Sequence, residues 1–289
     1  MKQPVFTGVC TAMVTPFYNN EINYSLMEKL IKRQIDAGVE AIVLSGTTGE
    51  SPTLTDEEKT ELFRRAKNYA GNNCKIIAGT GTNSTAHAVK LSIAAQRVGV
   101  DALLTVSPYY NKGNSDGIIK HYTEINNHVD IPIILYNVPS RTGIDIPVGV
   151  YKELSVLPNI IGVKEANPDI TKITQIRSTC PEDFYIWSGN DDLIVPVISI
   201  GGVGIISVLS NVYPKETVTM TNAALSGDYA TASALQCEFT PIISLLFRDV
   251  NPIPVKYAMK SIGYDCGDCR LPLGQLSNEL KEEINNLFI

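Results

Sequence analysis

The sequence predicts an α/β fold, a (β/α)8 TIM barrel with a C-terminal helical extension. Short apolar runs recur at a regular interval over the first 225 residues, and stretches with helical periodicity separate them. A doubly wound open sheet is the alternative, but it would carry a Gly-x-Gly-x-x-Gly turn after its first strand, and none follows the first run. We therefore predict a catalytic barrel at residues 1–225 and a helical region at residues 226–289.

Eight apolar runs, most of them rich in valine and isoleucine, give the predicted strands. Most of the runs lack polar alternation, which is typical of strands buried on both faces of a parallel sheet. In chain order they are Val9–Val14, Ala41–Leu44, Lys75–Ala78, Ala102–Val106, Ile131–Leu135, Ile160–Val163, Tyr185–Trp187 and Gly204–Val208.

Helices are predicted between these runs from a 3.6-residue periodicity. The first places Leu26, Leu30 and Ile35 on one face and ends before Gly38. The second opens with Thr55-Asp-Glu-Glu58, a capping box. Further barrel helices are predicted at Ser84–Val98, Ser115–Asn127, Pro147–Leu154, Asp169–Thr179, Asp191–Ile200 and Pro214–Leu225.

The last part of the chain shows helical patterns only, interrupted by prolines. Three helices are predicted there, at Tyr229–Phe247, Pro254–Ile262 and Ser277–Leu287. No low-complexity linker separates them from the barrel, so we expect a rigid attachment.

Composition narrows the class of protein. The chain has 24 basic and 30 acidic residues and a net charge of −6, without a basic block, which argues against a nucleic-acid or polybasic membrane partner. No apolar run reaches the roughly 20 residues of a membrane span, and the N-terminus lacks the apolar segment of a signal peptide. We expect a cytoplasmic globular protein.

The six cysteines are spread over the whole chain, so we expect reduced and mostly buried thiols rather than a disulfide framework. Cys266 and Cys269 form a single CxxC pair. No second pair or nearby histidine completes four zinc ligands, and no βαβ context favours a redox motif. We predict no metal and leave the role of this pair open.

The predicted carboxyl ends of the strands, where barrel enzymes carry their sites, hold hydroxyls, one lysine and one arginine. Lys164 follows an apolar run. It is either a strand-end lysine that reaches water or an amine in apolar surroundings that forms a Schiff base with a carbonyl. Tyr136, on the neighbouring strand, is either a core aromatic or the acid and base that such chemistry needs in the absence of histidine.

Three further residues have both a structural and a binding interpretation. Thr47 and Thr48 either form a turn or hold a carboxylate together with backbone N–H groups. Arg141 is either a solvated loop charge or a bidentate partner of a second carboxylate. Glu165 adjoins Lys164 and is expected to face the opposite side of the strand, outside the barrel.

Three segments together resemble the dihydrodipicolinate synthase family, and the resemblance extends over essentially the whole chain. They are Gly46-Thr-Thr-Gly-Glu50, Tyr136-Asn-Val-Pro-Ser-Arg-Thr-Gly143 and Gly162-Val-Lys-Glu165. The resemblance implies an aldolase-type lyase without metal or organic cofactor that condenses pyruvate with L-aspartate 4-semialdehyde towards diaminopimelate and lysine. It also implies a homotetramer, a dimer of tight dimers.

The resemblance also implies roles for individual residues. Lys164 would form the Schiff base, and Tyr136 would transfer protons through Thr47 and Tyr110, the last donated to a neighbouring subunit. The residues implied to bind the substrates are Thr48 and the backbone of Ile206 for the pyruvate carboxylate, Arg141 for the semialdehyde carboxylate, and Gly189 as part of the pocket wall.

Related enzymes share the lysine and the tyrosine, so N-acetylneuraminate lyase or a 2-keto-3-deoxy sugar acid aldolase remains the alternative. Arg141 and the Thr47–Thr48 pair favour the synthase. A keto-acid-binding barrel without catalysis is the alternative from another class. Asp56, Lys59 and His87 depart from the pattern of lysine-inhibited members of the family. We therefore predict weak or absent inhibition by lysine.

Overall fold

The computed structural model describes residues 1–287, and within them eight parallel strands close into a barrel. Barrel strands that are neighbours in space follow one another along the chain, and the last pairs with the first. The predicted (β/α)8 fold is confirmed. The strands, of which β2 and β3 form a separate hairpin, are β1 (Gly8–Ala12), β2 (Phe17–Tyr18), β3 (Glu21–Ile22), β4 (Ala41–Leu44), β5 (Lys75–Gly79), β6 (Ala102–Val106), β7 (Ile133–Asn137), β8 (Ile160–Glu165), β9 (Tyr185–Ser188) and β10 (Gly204–Ser207).

Helices surround the barrel as the periodicity predicts. The predicted capping box forms, since Glu58 N donates to Thr55 Oγ1 and Thr55 N donates to the Glu58 carboxylate. The helices of the barrel are α1 (Tyr24–Asp36), α2 (Asp56–Ala70), α3 (Thr85–Arg97), α4 (Ser115–Asn126), α5 (Pro139–Thr142), α6 (Val148–Leu154), α7 (Ile170–Thr179), α8 (Ile194–Ser199) and α9 (Pro214–Leu225).

Buried apolar side chains form two clusters, one inside the barrel and one between the strands and the helices. Because side chains alternate along a strand, each strand of the barrel contributes to both clusters. Tyr136, Trp187 and Ile206 belong to the interior cluster. A residue that pairs in register with one of these three therefore also faces the barrel interior.

The structure differs from the predicted elements in several places. β7 and β8 run two residues further than predicted, so Tyr136 and Lys164 lie within strands rather than after them. The single helix predicted at Asp191–Ile200 is instead a 3-10 turn at Asp191–Leu193 followed by α8. The hairpin and the one-turn helix α5 are too short to give a periodic signal in the sequence.

Within residues 226–287 three helices follow the barrel, namely α10 (Tyr229–Leu246), α11 (Ile253–Ser261) and α12 (Asn278–Asn286). α10 packs against α8 and α9, and α11 and α12 pack against α10. The proposed boundary at residue 225 falls at the end of α9, and residues 288–289 lie outside the described part of the chain. No helix within residues 1–287 has the length and apolar character that a membrane crossing requires.

Candidate active site

Lys164 points into the barrel. It pairs in register with Tyr136 of β7 on one side and with Trp187 of β9 on the other, and both of these belong to the interior cluster. Residues in one register layer of a parallel sheet face the same side. The Lys164 residue is 5% exposed, and its Nζ lies 4.4 Å from the centre of the Tyr136 ring. The interpretation of Lys164 as a lysine that reaches water is therefore wrong.

Glu165 faces the opposite side of β8, as strand alternation predicts. Its carboxylate accepts hydrogen bonds from Asn137 Nδ2 at 2.7 Å, from Tyr151 Oη at 2.9 Å and from Asn167 N at 2.9 Å. Burial raises the pKa of Glu165, and the nearby Lys172 ammonium opposes that shift. The network ties the ends of β7 and β8 together from outside the barrel and thus holds the two strands that carry Tyr136 and Lys164.

A cavity of about 290 Å³ lies at the carboxyl end of the barrel. Three of the predicted site residues line it, namely Thr47, Tyr136 and Arg141. Lys164 is outside the lining and is connected to the cavity by its contact with the Tyr136 ring. Such a concave site with a few convergent polar groups is typical of small-ligand pockets.

The loop after β4 brings Thr47 to this cavity and buries Thr48. Ser45 and Glu50 flank the two threonines and both have positive φ angles, 54° and 56°. Residues other than glycine rarely adopt this conformation, so it needs support from the surrounding structure. The Glu50 carboxylate supplies that support, because it pairs with Lys256 Nζ at 2.6 Å and accepts from Arg270 N at 2.8 Å.

Gly189 directly follows β9, and Ile206 lies near the end of β10. Gly189 N donates to the backbone oxygen of Glu165 at 2.7 Å, and a Cβ at this position would lie 2.6 Å from that of Ala166. The close approach of the two backbones therefore requires glycine. Ile206 is buried inside the barrel and pairs with Cys10.

Tyr110 stands apart from the other predicted site residues. It is 89% exposed with a φ of 71°, in the segment between β6 and α4. The adjacent Tyr109 lines the cavity instead, and burial raises the pKa of its hydroxyl. Within the single chain Tyr110 is not part of the cavity wall, so its predicted role requires a neighbouring copy.

The model of the dihydrodipicolinate synthetase family matches residues 5–288. This chain belongs to that family. It is 44% identical to the 4-hydroxy-tetrahydrodipicolinate synthase of Thermoanaerobacter sp. strain X514 over 99% of this chain and 96% of the relative. The synthase of Caldicellulosiruptor saccharolyticus is 45% identical over 99% of this chain and 97% of its own. The dihydrodipicolinate synthase structure from Aquifex aeolicus superposes with a TM-score of 0.96 at 40% identity, covering 98% of this chain and 97% of that one.

In this member of the dihydrodipicolinate synthetase family, several polar residues that support the site carry no recognisable signal in the sequence. Asp191, at the end of the loop that follows β9, accepts hydrogen bonds from Ser207 Oγ at 2.6 Å and from Val208 N and Leu209 N, and thereby fixes the turn after Ile206. Burial raises the pKa of Asp191, and the bond from Ser207 opposes the shift. No sequence motif connects Asp191 with Ser207, because the two residues come together only in the folded barrel.

The C-terminal region contributes to the same site. Asn251 lines the cavity, and Lys256 from α11 forms the buried ion pair with Glu50. These contacts span more than 200 residues, with sequence separations of 203 for Asn251 and Thr48 and of 206 for Lys256 and Glu50. Sequence periodicity carries no signal at that range.

The CxxC pair lies beside this ion pair. Burial raises the pKa of Cys266 and of Cys269 to about 12, and the negative charge of Glu50 adds to the shift at Cys269. Redox and metal-binding thiols have a lowered pKa instead. Within residues 1–287 no group of three histidine, cysteine, aspartate or glutamate side chains is arranged to hold a metal ion.

Proposed function

We propose that this chain is a 4-hydroxy-tetrahydrodipicolinate synthase that condenses pyruvate with L-aspartate 4-semialdehyde. The observation that carries the proposal is the position of Lys164, which faces the barrel interior with its Nζ against the Tyr136 ring. Membership of the family and the names of the relatives support the choice of substrates.

The first half of the reaction activates pyruvate. The neutral Lys164 amine attacks the C2 carbonyl, the carbinolamine loses its oxygen as water, and an iminium remains on Nζ. Tyr136 accepts the proton released by the attacking amine and returns it to the departing hydroxyl. The positive iminium then withdraws electrons from C3, so that the methyl group loses a proton to Tyr136 and an enamine forms.

The second half forms the carbon–carbon bond. The enamine carbon attacks the aldehyde of the semialdehyde, and the new alkoxide takes a proton delivered through Tyr136, Thr47 and Tyr110. The amino group of the semialdehyde then attacks C2 and displaces Lys164, which closes the ring and frees the enzyme. One water is released overall, and no oxidant or reductant is consumed.

Binding of the two carboxylates is assigned to separate groups. Thr48 and the backbone of Ile206 hold the carboxylate of pyruvate, and Arg141 holds the carboxylate of the semialdehyde. Gly189 forms part of the pocket wall, where it adds no side chain. Arg141 is suited to this role because it is exposed at the cavity and its guanidinium binds carboxylates bidentately.

The exposed Tyr110 fits an arrangement in which each copy completes a neighbour's site, and we propose a cytoplasmic homotetramer that uses protein groups alone. Sedimentation velocity tests the assembly. A monomer with full activity would contradict the role of Tyr110.

Reductive trapping tests the Schiff base. Incubation with pyruvate and borohydride should attach one reduced pyruvate irreversibly to Lys164, as mapped by mass spectrometry of the peptides. Lys256 is a matched internal control, since it is buried to a similar degree but held in an ion pair, and it should remain unmodified. Absence of any adduct would leave only a keto-acid-binding protein.

Turnover with alternative substrates then separates the enzymes. We expect activity with pyruvate and aspartate semialdehyde and little cleavage of N-acetylneuraminate or 2-keto-3-deoxygluconate. Preferred cleavage of a sugar acid would refute the substrate assignment while preserving Lys164 as the Schiff-base residue.

A further inference from the structure

Asn251 lies between the two groups assigned to the substrate carboxylates. It belongs to the segment between α10 and α11, it is buried, and it lines the cavity. Its side-chain Nδ2 donates to Thr48 Oγ1 at 3.0 Å, and its backbone oxygen accepts from Arg141 Nη2 at 3.2 Å. One residue of the C-terminal region thus contacts both the threonine and the arginine.

The chemistry of the amide determines the direction of the Thr48 hydroxyl. An amide nitrogen only donates, so the Thr48 oxygen is the acceptor in this bond, and its single O–H remains for another acceptor. A carboxylate accepts hydrogen bonds and donates none. The contact with Asn251 therefore leaves Thr48 in the donor state that a bound carboxylate requires.

The other atom of the amide argues against a purely structural role. Asn251 Oδ1 is buried without a hydrogen-bond partner among the described residues. An unpaired buried oxygen costs at least as much free energy as a neutral hydrogen bond contributes, so the side chain adds little net stability. An unpaired buried oxygen requires an explanation, and at the wall of a cavity a molecule bound in that cavity supplies one.

We propose that Asn251 is a positioning residue that orients the Thr48 hydroxyl towards the carboxylate of pyruvate. This inference rests on the proposed function. Its effect is confined to the pyruvate half of the reaction, because the bond to Arg141 comes from the backbone and survives a change of the side chain.

Two substitutions test the orientation. Asn251→Ala removes the amide that orients the Thr48 hydroxyl. It should raise the KM for pyruvate about tenfold, because the hydrogen bond from Thr48 to the charged carboxylate is lost. The kcat and the KM for the semialdehyde should change less than about twofold, because neither depends on this bond. Asn251→Asp has the same shape but accepts the Thr48 proton and adds a negative charge, so it should raise the KM for pyruvate further.

A double-mutant cycle shows whether the effect passes through Thr48. Thr48→Val removes the hydroxyl, and in that background Asn251→Ala should cause no further loss of pyruvate affinity. An equal loss in both backgrounds would overturn the proposal. Asn126→Ala is the matched control, because Asn126 is equally buried but bonds Asn159, before the start of β8, and should not change the KM for pyruvate.

Borohydride trapping separates failure of this inference from failure of the proposed function. If the unmodified chain forms no adduct with pyruvate, the proposed function fails. If it forms the adduct and Asn251→Asp forms it at the same half-saturating pyruvate concentration, only the role of Asn251 is refuted. Because Asn251→Asp is isosteric, it provides this comparison even if Asn251→Ala does not fold.

Discussion

Replacing Lys256 with methionine is expected to destabilise the chain and weaken pyruvate binding together. Its ammonium lies 2.6 Å from Glu50 Oε1, and the two side chains are 4% and 0% exposed. Removing one partner of a buried ion pair leaves the other charge uncompensated, at a cost of about 3–5 kcal/mol. Because Arg270 N also donates to Glu50, we expect the lower end of that range, about 3 kcal/mol.

The expected loss of affinity follows from the position of Glu50. It ends the loop that carries Thr47 and Thr48, and its positive φ depends on the surrounding contacts. Denaturant unfolding gives the free-energy change, and initial rates against pyruvate concentration give the KM. Lys260→Met is the control, because the exposed Lys260 pairs with Asp265 at the surface, where ion pairs contribute less than about 1 kcal/mol.

A second variant makes the prediction refutable. Lys256→Met combined with Glu50→Gln removes both charges, so the double variant should be more stable than Lys256→Met alone. If the double variant loses as much free energy of unfolding as the two single variants added together, Lys256 and Glu50 are not coupled and the reasoning is wrong.

Three further predictions concern other parts of the chain. Arg141→Ala should raise the KM for the semialdehyde about 10- to 100-fold, because it removes hydrogen bonds to a charged group. The half-saturating pyruvate concentration for borohydride trapping should change less than about twofold. Equal losses in both assays would refute the role of Arg141. Burial lowers the pKa of His121 from 6.5 to about 4. The unfolded chain therefore binds a proton at His121 more readily than the folded chain, and the free energy of unfolding falls as the pH drops from 6.5 towards 4. The expected loss at pH 4 is about 3 kcal/mol. Unfolding experiments across that range should show a shallower pH dependence for His121→Gln than for the unmodified chain, and an unchanged slope in His121→Gln would contradict the assignment. Free lysine at submillimolar concentration should leave initial rates unchanged, because Asp56 is already paired with two basic side chains, and measurable inhibition would contradict this expectation.

The barrel was predictable because its signals are local. Strands buried on both faces give apolar runs, and helices such as α2 give caps that a few adjacent residues specify. Lys164 and Tyr136 were predicted as a pair for the same reason. Each closes an apolar run, and consecutive strands of such a barrel are neighbours in the sheet.

The residues that hold the site residues in place were not predictable, because their contacts depend on where distant segments of the chain meet. Asn251 and Lys256 lie in what the sequence shows only as a helical extension, and their partners are Thr48 and Glu50 near the start of the chain. The direction of Lys164 was also undecided by its position in the sequence, since an apolar run buried on both faces has no alternation to read. Register with Tyr136 and Trp187 settles that direction.

The acidic composition makes the placement of the few basic groups at the site decisive. A chain with a net charge of −6 repels the pyruvate anion at long range and does not attract the zwitterionic semialdehyde, so the attraction of both carboxylates must be local. Arg141 supplies positive charge at the end of the barrel, whereas the charge of Lys256 is neutralised by Glu50 and contributes none to the cavity. The C-terminal region therefore acts on binding by holding the hydroxyls and backbone donors in place. A substitution there that leaves the charge unchanged, such as Asn251→Ala, should alter the KM for pyruvate without altering its dependence on ionic strength.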